Sequence, residues 1–270
     1  ATELGKALAK EGHLVHFITY MRPPRLDVFQ PNVFFHEVSF QNYALFEYPP
    51  YETALASNLV DIVKYQNLDL LHVHYAIPHA SAAFIAKQIL KEQGIYIPVI
   101  TTLHGTDITL VGKAPAYRSV VAFSINQSDG ITTVSESLKR DTYANFDIKK
   151  EIEVIPNFID FTRFMKLDKE HFKKAIAPNN EKLLIHTSNF RKVKRVEDTI
   201  RIFHKVKQEV NSKLMLVGDG PERACVEELA RKLNVEKDEN NKFDLLIDKG
   251  DMFLTVNKFK DAIKTYQQAM

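Results

Sequence analysis

The sequence predicts an α/β protein made of two Rossmann-like units, each built on a doubly wound parallel sheet, followed by a helical tail. Three observations lead there. Short apolar, β-branched runs alternate with helical stretches from residue 14 onward; a junction rich in charge follows residue 155, after which the alternation resumes; and the pattern changes character beyond residue 238. Strands separated by helices need crossover connections, and those produce parallel pairing.

Residues 1–12 read as an amphipathic helix feeding a strand over 14–20. No strand stands before that helix, so the first strand of such a sheet, with the loop after it where ligands commonly sit, is expected upstream of Ala1. Further strands are expected at 33–39, 70–75, 99–104 and 131–135, where apolar and β-branched residues concentrate. Helices are expected at 54–65, 80–93, 117–126 and 136–145, which carry apolar residues three and four apart. Residues 40–51, rich in Tyr, Phe and Pro, read as an irregular connection.

After a short strand at 152–155, Pro156-Asn157-Phe158-Ile159-Asp160 leads into a charged region with no clear strand, which puts the junction between a unit over 1–160 and a partial unit over 161–238. The second unit reads as strand 183–188, a basic turn, helix 196–209, strand 213–217, the turn Gly218-Asp219-Gly220-Pro221 and helix 222–233. Pro at a helix start suits its fixed φ and missing donor. From 239 to 270 the strand signal is lost, and Gly250, Phe253, Phe259, Ala262, Tyr266 and Ala269 match the spacing of a tetratricopeptide hairpin. One such repeat cannot bury its own apolar faces. A protein partner for the tail, or ordinary packing on the preceding unit, is therefore expected.

The 270 residues are 45% apolar and 26% charged with a net charge of +2, the profile of a folded domain. The basic residues are scattered except for Arg191-Lys192-Val193-Lys194-Arg195, so a nucleic-acid partner is not implied. A single cysteine, Cys225, excludes an intrachain disulfide and suits a cytoplasmic location. No apolar run approaches the roughly 20 residues that a membrane span needs. Walker, Gly-x-Gly-x-x-Gly and Gly-x-Ser-x-Gly patterns are all lacking, which removes support for nucleotide hydrolysis, dinucleotide redox and triad esterase chemistry.

His104-Gly105-Thr106-Asp107 follows a strand directly, placing an imidazole, a hydroxyl and a carboxylate at the carboxyl edge of the sheet, where ligands bind. His72 and His74 read as facing opposite sides of their strand, which argues against a two-ligand metal site. The turn 188–195 joins a strand to a helix, so its cations and N–H groups suit a diphosphate. Gly218 and Gly220 mark a second tight turn on the same edge and, as a glycine pair, are weak support for a ligand site.

These features, with the segments 1–5, 16–20, 71–80, 101–107, 133–138, 155–160 and 188–191, resemble the retaining GT-B glycosyltransferases of family 4. Within that family they look like the branch that joins N-acetylglucosamine to L-malate at the start of bacillithiol biosynthesis. The resemblance implies transfer from UDP-N-acetylglucosamine to the malate hydroxyl with retention, and no metal or other cofactor. It implies catalytic roles for His104 and Asp107, with His104 beside the donor sugar, and an acceptor side lined by Thr102, Ser135 and Asn157. Arg191 and Lys194 would hold the donor diphosphate, with Gly218 and Gly220 on the nucleotide side. UDP-sugar and L-malate are the implied partners, without nucleic acid or membrane; a homo-oligomer is a further expectation.

The family's first strand and glycine-rich loop would precede Ala1, and its paired-Glu motif would follow residue 238, where the tetratricopeptide-like tail stands. A fragment or fusion with little transferase activity is the resulting expectation. Two other readings are open: a non-catalytic adaptor working through the tail, and a family 4 enzyme with a saccharide or lipid acceptor.

Overall fold

In the computed structural model the chain divides into two compact units, Ala1–Phe161 and Thr162–Met270. The structure describes residues 1–26, 29–39, 48–112, 114–162, 164–165, 167–168, 170–235 and 245–248. Within that set no helix is long and apolar enough to cross a membrane.

The first unit runs α1 (Thr2–Lys10), β1 (Val15–Thr19), β2 (Val33–Glu37), α2 (Tyr51–Gln66), β3 (Leu71–His74), α3 (Ser81–Glu92), β4 (Val99–Leu103), α4 (Pro115–Gln127), β5 (Gly130–Thr133), α5 (Glu136–Asn145) and β6 (Glu153–Val154). β1 pairs with β2, and a four-stranded sheet has the order β3-β4-β5-β6. Every pairing is parallel. Parallel strands in sequence order share one carboxyl edge, so the residues after β3, β4, β5 and β6 fall along a single rim.

Two apolar clusters hold this unit. One joins Leu55, Leu59 and Val63 of α2 to Ala82, Ala83, Ala86 and Leu90 of α3 and to Leu71 and Val99 at the strand starts. The alanines of α3 are fully buried, and their small side chains let the helix approach its neighbours closely. The other packs Val121 and Ile125 of α4 with Leu138 of α5, Leu103, Ile108, Ile131, Phe146 and Ile152. Pro115 opens α4 in the first-turn position it favours. Ser135 caps α5, its Oγ accepting from the Leu138 N–H at 3.2 Å, a bond typically worth about 1 kcal/mol.

The second unit runs α6 (Glu170–Ile176), β7 (Lys182–Thr187), α7 (Val196–Glu209), β8 (Ser212–Val217), α8 (Arg223–Lys232) and β9 (Leu245–Asp248), with a parallel sheet of order β7-β8-β9. Val196, Ile200 and Phe203 recur along one face of α7 and meet Leu214, Leu216, Val226 and Ala230 in the core. At the starting end of the sheet, Lys213 Nζ sits 3.2 Å from a Glu181 oxygen and donates to the Ile176 carbonyl at 3.1 Å; both charged side chains are buried.

Two expectations change here. β9 pairs in register with β8 from Leu214↔Leu245 to Val217↔Asp248, so residues 245–248 are a sheet strand and not the start of a helical tail. Leu245-Leu246-Ile247 is an apolar run of strand length. Residues 249–270, with the rest of the tetratricopeptide reading, lie outside the described residues, as do 40–47 of the irregular connection. α6 arises where no element was expected, since it buries no residue and carries no apolar stripe.

Candidate active site

β3 and β4 bring their carboxyl ends together through side chains on one face. His72 and His74 share that face: their rings stack with centroids 4.8 Å apart at 22°, which corrects the expectation that they point oppositely. Alternation in a strand has period two, so positions i and i+2 lie on the same side. In the register, Thr102 of β4 stands beside His74, and Thr132 of β5 beside Thr102. Side-chain bonds cross the strands accordingly. His72 Nε2 meets Thr102 Oγ1 at 2.8 Å, Thr102 Oγ1 meets Thr132 Oγ1 at 2.7 Å, and His74 Nδ1 meets His104 Nε2 at 2.9 Å. Thr102 is therefore buried with two partners already, leaving its hydroxyl one further bond at most.

Asp107 is buried at 2% exposure. Its Oδ1 accepts from the N–H groups of Gly105 at 3.0 Å and His104 at 3.4 Å, and its Oδ2 accepts from Ala76 N–H at 3.1 Å. Both carboxylate oxygens are thus committed to backbone at the ends of β3 and β4. That geometry makes Asp107 a positioning residue for the loop that carries His104.

Burial lowers the proton affinity of His72, His74, His79 and His104 below the usual imidazole range. For His74 burial comes first, and the neighbouring His72, His104 and His79 rings add to it. At His104 the Asp107 charge opposes burial without cancelling it. The cluster is neutral near pH 7. Each ring then has one donor and one acceptor nitrogen, a set suited to hydroxyl groups. Among the described residues no group of three His, Cys, Asp or Glu could hold a metal ion.

Tyr75 was not singled out from the sequence. It follows β3 at φ 76° and ψ 141°, a conformation that costs a non-glycine residue about 1–3 kcal/mol and clusters at functional sites. Its ring lies 5.2 Å from that of His104 and 6.5 Å from that of His79. Its place after a strand in the His72-Val73-His74 run was the available signal. Ser135 and Asn157 follow β5 and β6 on the same rim. Ser135 is engaged as the α5 cap, whereas Asn157 is exposed, and neither joins the hydrogen-bond group around His104 among the described residues.

In the second unit the basic turn is anchored by Phe190, whose side chain is fully buried in the core. Phe190 N–H donates to the Asp219 carbonyl at 2.8 Å, and its own carbonyl accepts from Glu222 N–H at 2.9 Å. The turn at 188–195 and the turn at 218–221 are therefore locked back to back. Gly218 at φ 142° and Gly220 at φ 157° permit this, since a Cβ on Gly218 would run into the Ser188 carbonyl and one on Gly220 would sit 2.6 Å from the Phe190 carbonyl oxygen. The glycines serve close backbone approach. Arg191, Lys192 and Lys194 are exposed just before α7, and none has an ion-pair partner among the described residues. Arg195 is paired with Asp198 at 2.5 Å. Three free cations beside the start of a 14-residue helix make a region of positive potential.

Residues 1–163 match Glycosyltransferase Family 4, and residues 168–240 match Glycosyl transferases group 1. The chain is 48% identical over 236 residues to N-acetyl-alpha-D-glucosaminyl L-malate synthase of Bacillus anthracis, an alignment that covers 87% of this chain and 61% of the relative. Sucrose-phosphate synthase from Thermosynechococcus elongatus superposes with a TM-score of 0.66 at 16% identity, over 91% of this chain and 63% of that one. A glycosyltransferase from Rickettsia africae gives 0.59 at 18% identity, over 93% and 64%. The chain spans less than two thirds of each of these proteins. The fold is of the GT-B type. With the first match extending over more than half its length, the chain belongs to glycosyltransferase family 4.

Proposed function

We propose that the protein transfers N-acetylglucosamine from UDP-N-acetylglucosamine to the hydroxyl of L-malate, with retention at the anomeric carbon, as the first step of bacillithiol formation. The observation that carries this reading is the 48% identity to the malate synthase. The chemistry of the two strand-end clusters supports it. Arg191 and Lys194 offer a bidentate fork and a mobile point charge for a diphosphate at the start of α7. They would neutralise charge on the departing UDP, where preorganised electrostatics count most, so the reading requires no metal ion.

On the first unit, neutral His104 would hydrogen-bond a sugar hydroxyl, with Thr102 and Tyr75 around it. Malate brings two carboxylates that need donors or positive potential. Incubation with UDP-N-acetylglucosamine and L-malate tests the reading. With the protein extended to the length of its malate synthase relative, release of UDP with an α-linked N-acetylglucosaminyl malate is expected, and glycosylation of neutral sugar alcohols as readily as malate would overturn the malate assignment.

A further inference from the structure

His74 lies outside the His-Gly-Thr-Asp segment, yet it makes the one side-chain hydrogen bond that the His104 ring has among the described residues, from Nδ1 to Nε2 at 2.9 Å. Sequence proximity would give the orienting role to Asp107. Both oxygens of that carboxylate are taken by the backbone N–H groups of Ala76, His104 and Gly105, so Asp107 fixes the loop and leaves the imidazole to another partner. His74 is itself well held. Its ring stacks on His72, and His72 is tied to Thr102, which neighbours His74 in the register.

We propose that His74 is a positioning residue that locks His104 into a single tautomer and leaves His104 Nδ1 as the nitrogen that meets the ligand. Only the identity of that ligand rests on the glycosyltransferase reading. A neutral imidazole carries one N–H and one lone pair, and which nitrogen has the proton is set by the bond the other makes. Between Nδ1 of His74 and Nε2 of His104 there is room for one proton. The two rings must therefore hold complementary tautomers, and the state in which His74 Nδ1 is held decides whether His104 Nδ1 is the donor or the acceptor. A ring without that partner would exchange tautomers and present a mixture to the ligand.

The test uses the protein labelled with 15N-histidine, its ring nitrogens read by long-range proton–nitrogen correlation near neutral pH and the His104 signals assigned with His104→Gln. The wild type should show one protonated and one bare nitrogen at His104. His74→Leu should average them, and His74→Asn should restore the split, because its amide stands near the place of Nδ1. Turnover should follow: kcat falls roughly tenfold in His74→Leu, the scale of one net hydrogen bond, with little change in KM for UDP-N-acetylglucosamine, and recovers in His74→Asn. Averaged His104 nitrogens in the wild type, or an unchanged split in His74→Leu, would overturn the proposal. Absence of turnover in the wild type at the full length of its relatives would count against the transferase reading, and the tautomer spectra would still decide the role of His74.

Discussion

Asp107 and Ala76, 31 residues apart in the chain, are joined by a bond from the Ala76 N–H to Asp107 Oδ2 at 3.1 Å. Because Oδ1 of the same carboxylate accepts from the loop that begins at His104, this one side chain ties the ends of β3 and β4 together. Asp107→Asn replaces one acceptor oxygen with an NH2 group facing a backbone donor. It should destabilise the first unit by about 1–3 kcal/mol, the cost of leaving a buried group unsatisfied, as measured by denaturant unfolding. Lost turnover with unchanged stability would instead mark Asp107 as a group that acts on the ligand directly.

Strand periodicity located β1 to β8 because each is a run of apolar or β-branched residues bounded by polar ones. The polar, unburied α6 left no such trace. His104 and the basic turn could be read because they follow strands. What could not be read was who bonds to whom. His74, Tyr75 and the Ser188–Gly218 approach depend on register and turn geometry, which residue types alone do not encode. The His72 and His74 error was of a different kind, since the period of two was sufficient to put them on one face.

Lys194→Ala should weaken UDP binding by roughly 1–3 kcal/mol, the range for a lost charge-assisted hydrogen bond, as read by titration calorimetry. Lys194 is exposed and unpaired with an acid among the described residues, so folding stability should hold. Arg195→Ala makes the control: its guanidinium is already paired with Asp198, and the effect on UDP should be smaller. Equal losses at both positions would point to general positive charge over a defined diphosphate contact.

Gly218→Ala should cost the second unit more than the approximately 1 kcal/mol typical of a point substitution. The added Cβ meets the Ser188 carbonyl, a backbone atom that cannot swing away, and φ at 142° is unfavourable for any L side chain. The two turns would part, taking Phe190 from its seat in the core. Thermal unfolding monitored on the second unit reads the loss, and UDP affinity should fall with it. Retained stability with lost affinity would show that Gly218 faces the nucleotide and not the neighbouring turn.

The Glu181–Lys213 pair sets the acid limit of the second unit. Burial alone would raise the Glu181 pKa, but the backbone N–H groups of Glu181 and Asn179 and the Lys213 ammonium outweigh it and hold the carboxyl below its ordinary value of 4.5. A carboxyl whose folded pKa is depressed binds fewer protons folded than unfolded, so its contribution is complete above about pH 4.5 and is lost as pH falls toward the folded value. Lys213→Met removes the ammonium and strands Glu181 in the core. Loss of one partner of a buried pair costs about 3–5 kcal/mol, and the remaining carboxyl should titrate higher than it does in the wild type. Unfolding followed from pH 7 down to pH 3 should show the wild type losing stability at the acid end of that range and the variant already losing it at higher pH. The double variant Lys213→Met, Glu181→Leu, with no charge left to desolvate, should regain most of the stability at neutral pH and lose this acid dependence. Equal pH profiles for the wild type and the double variant would assign the acid sensitivity of this unit to other carboxyls.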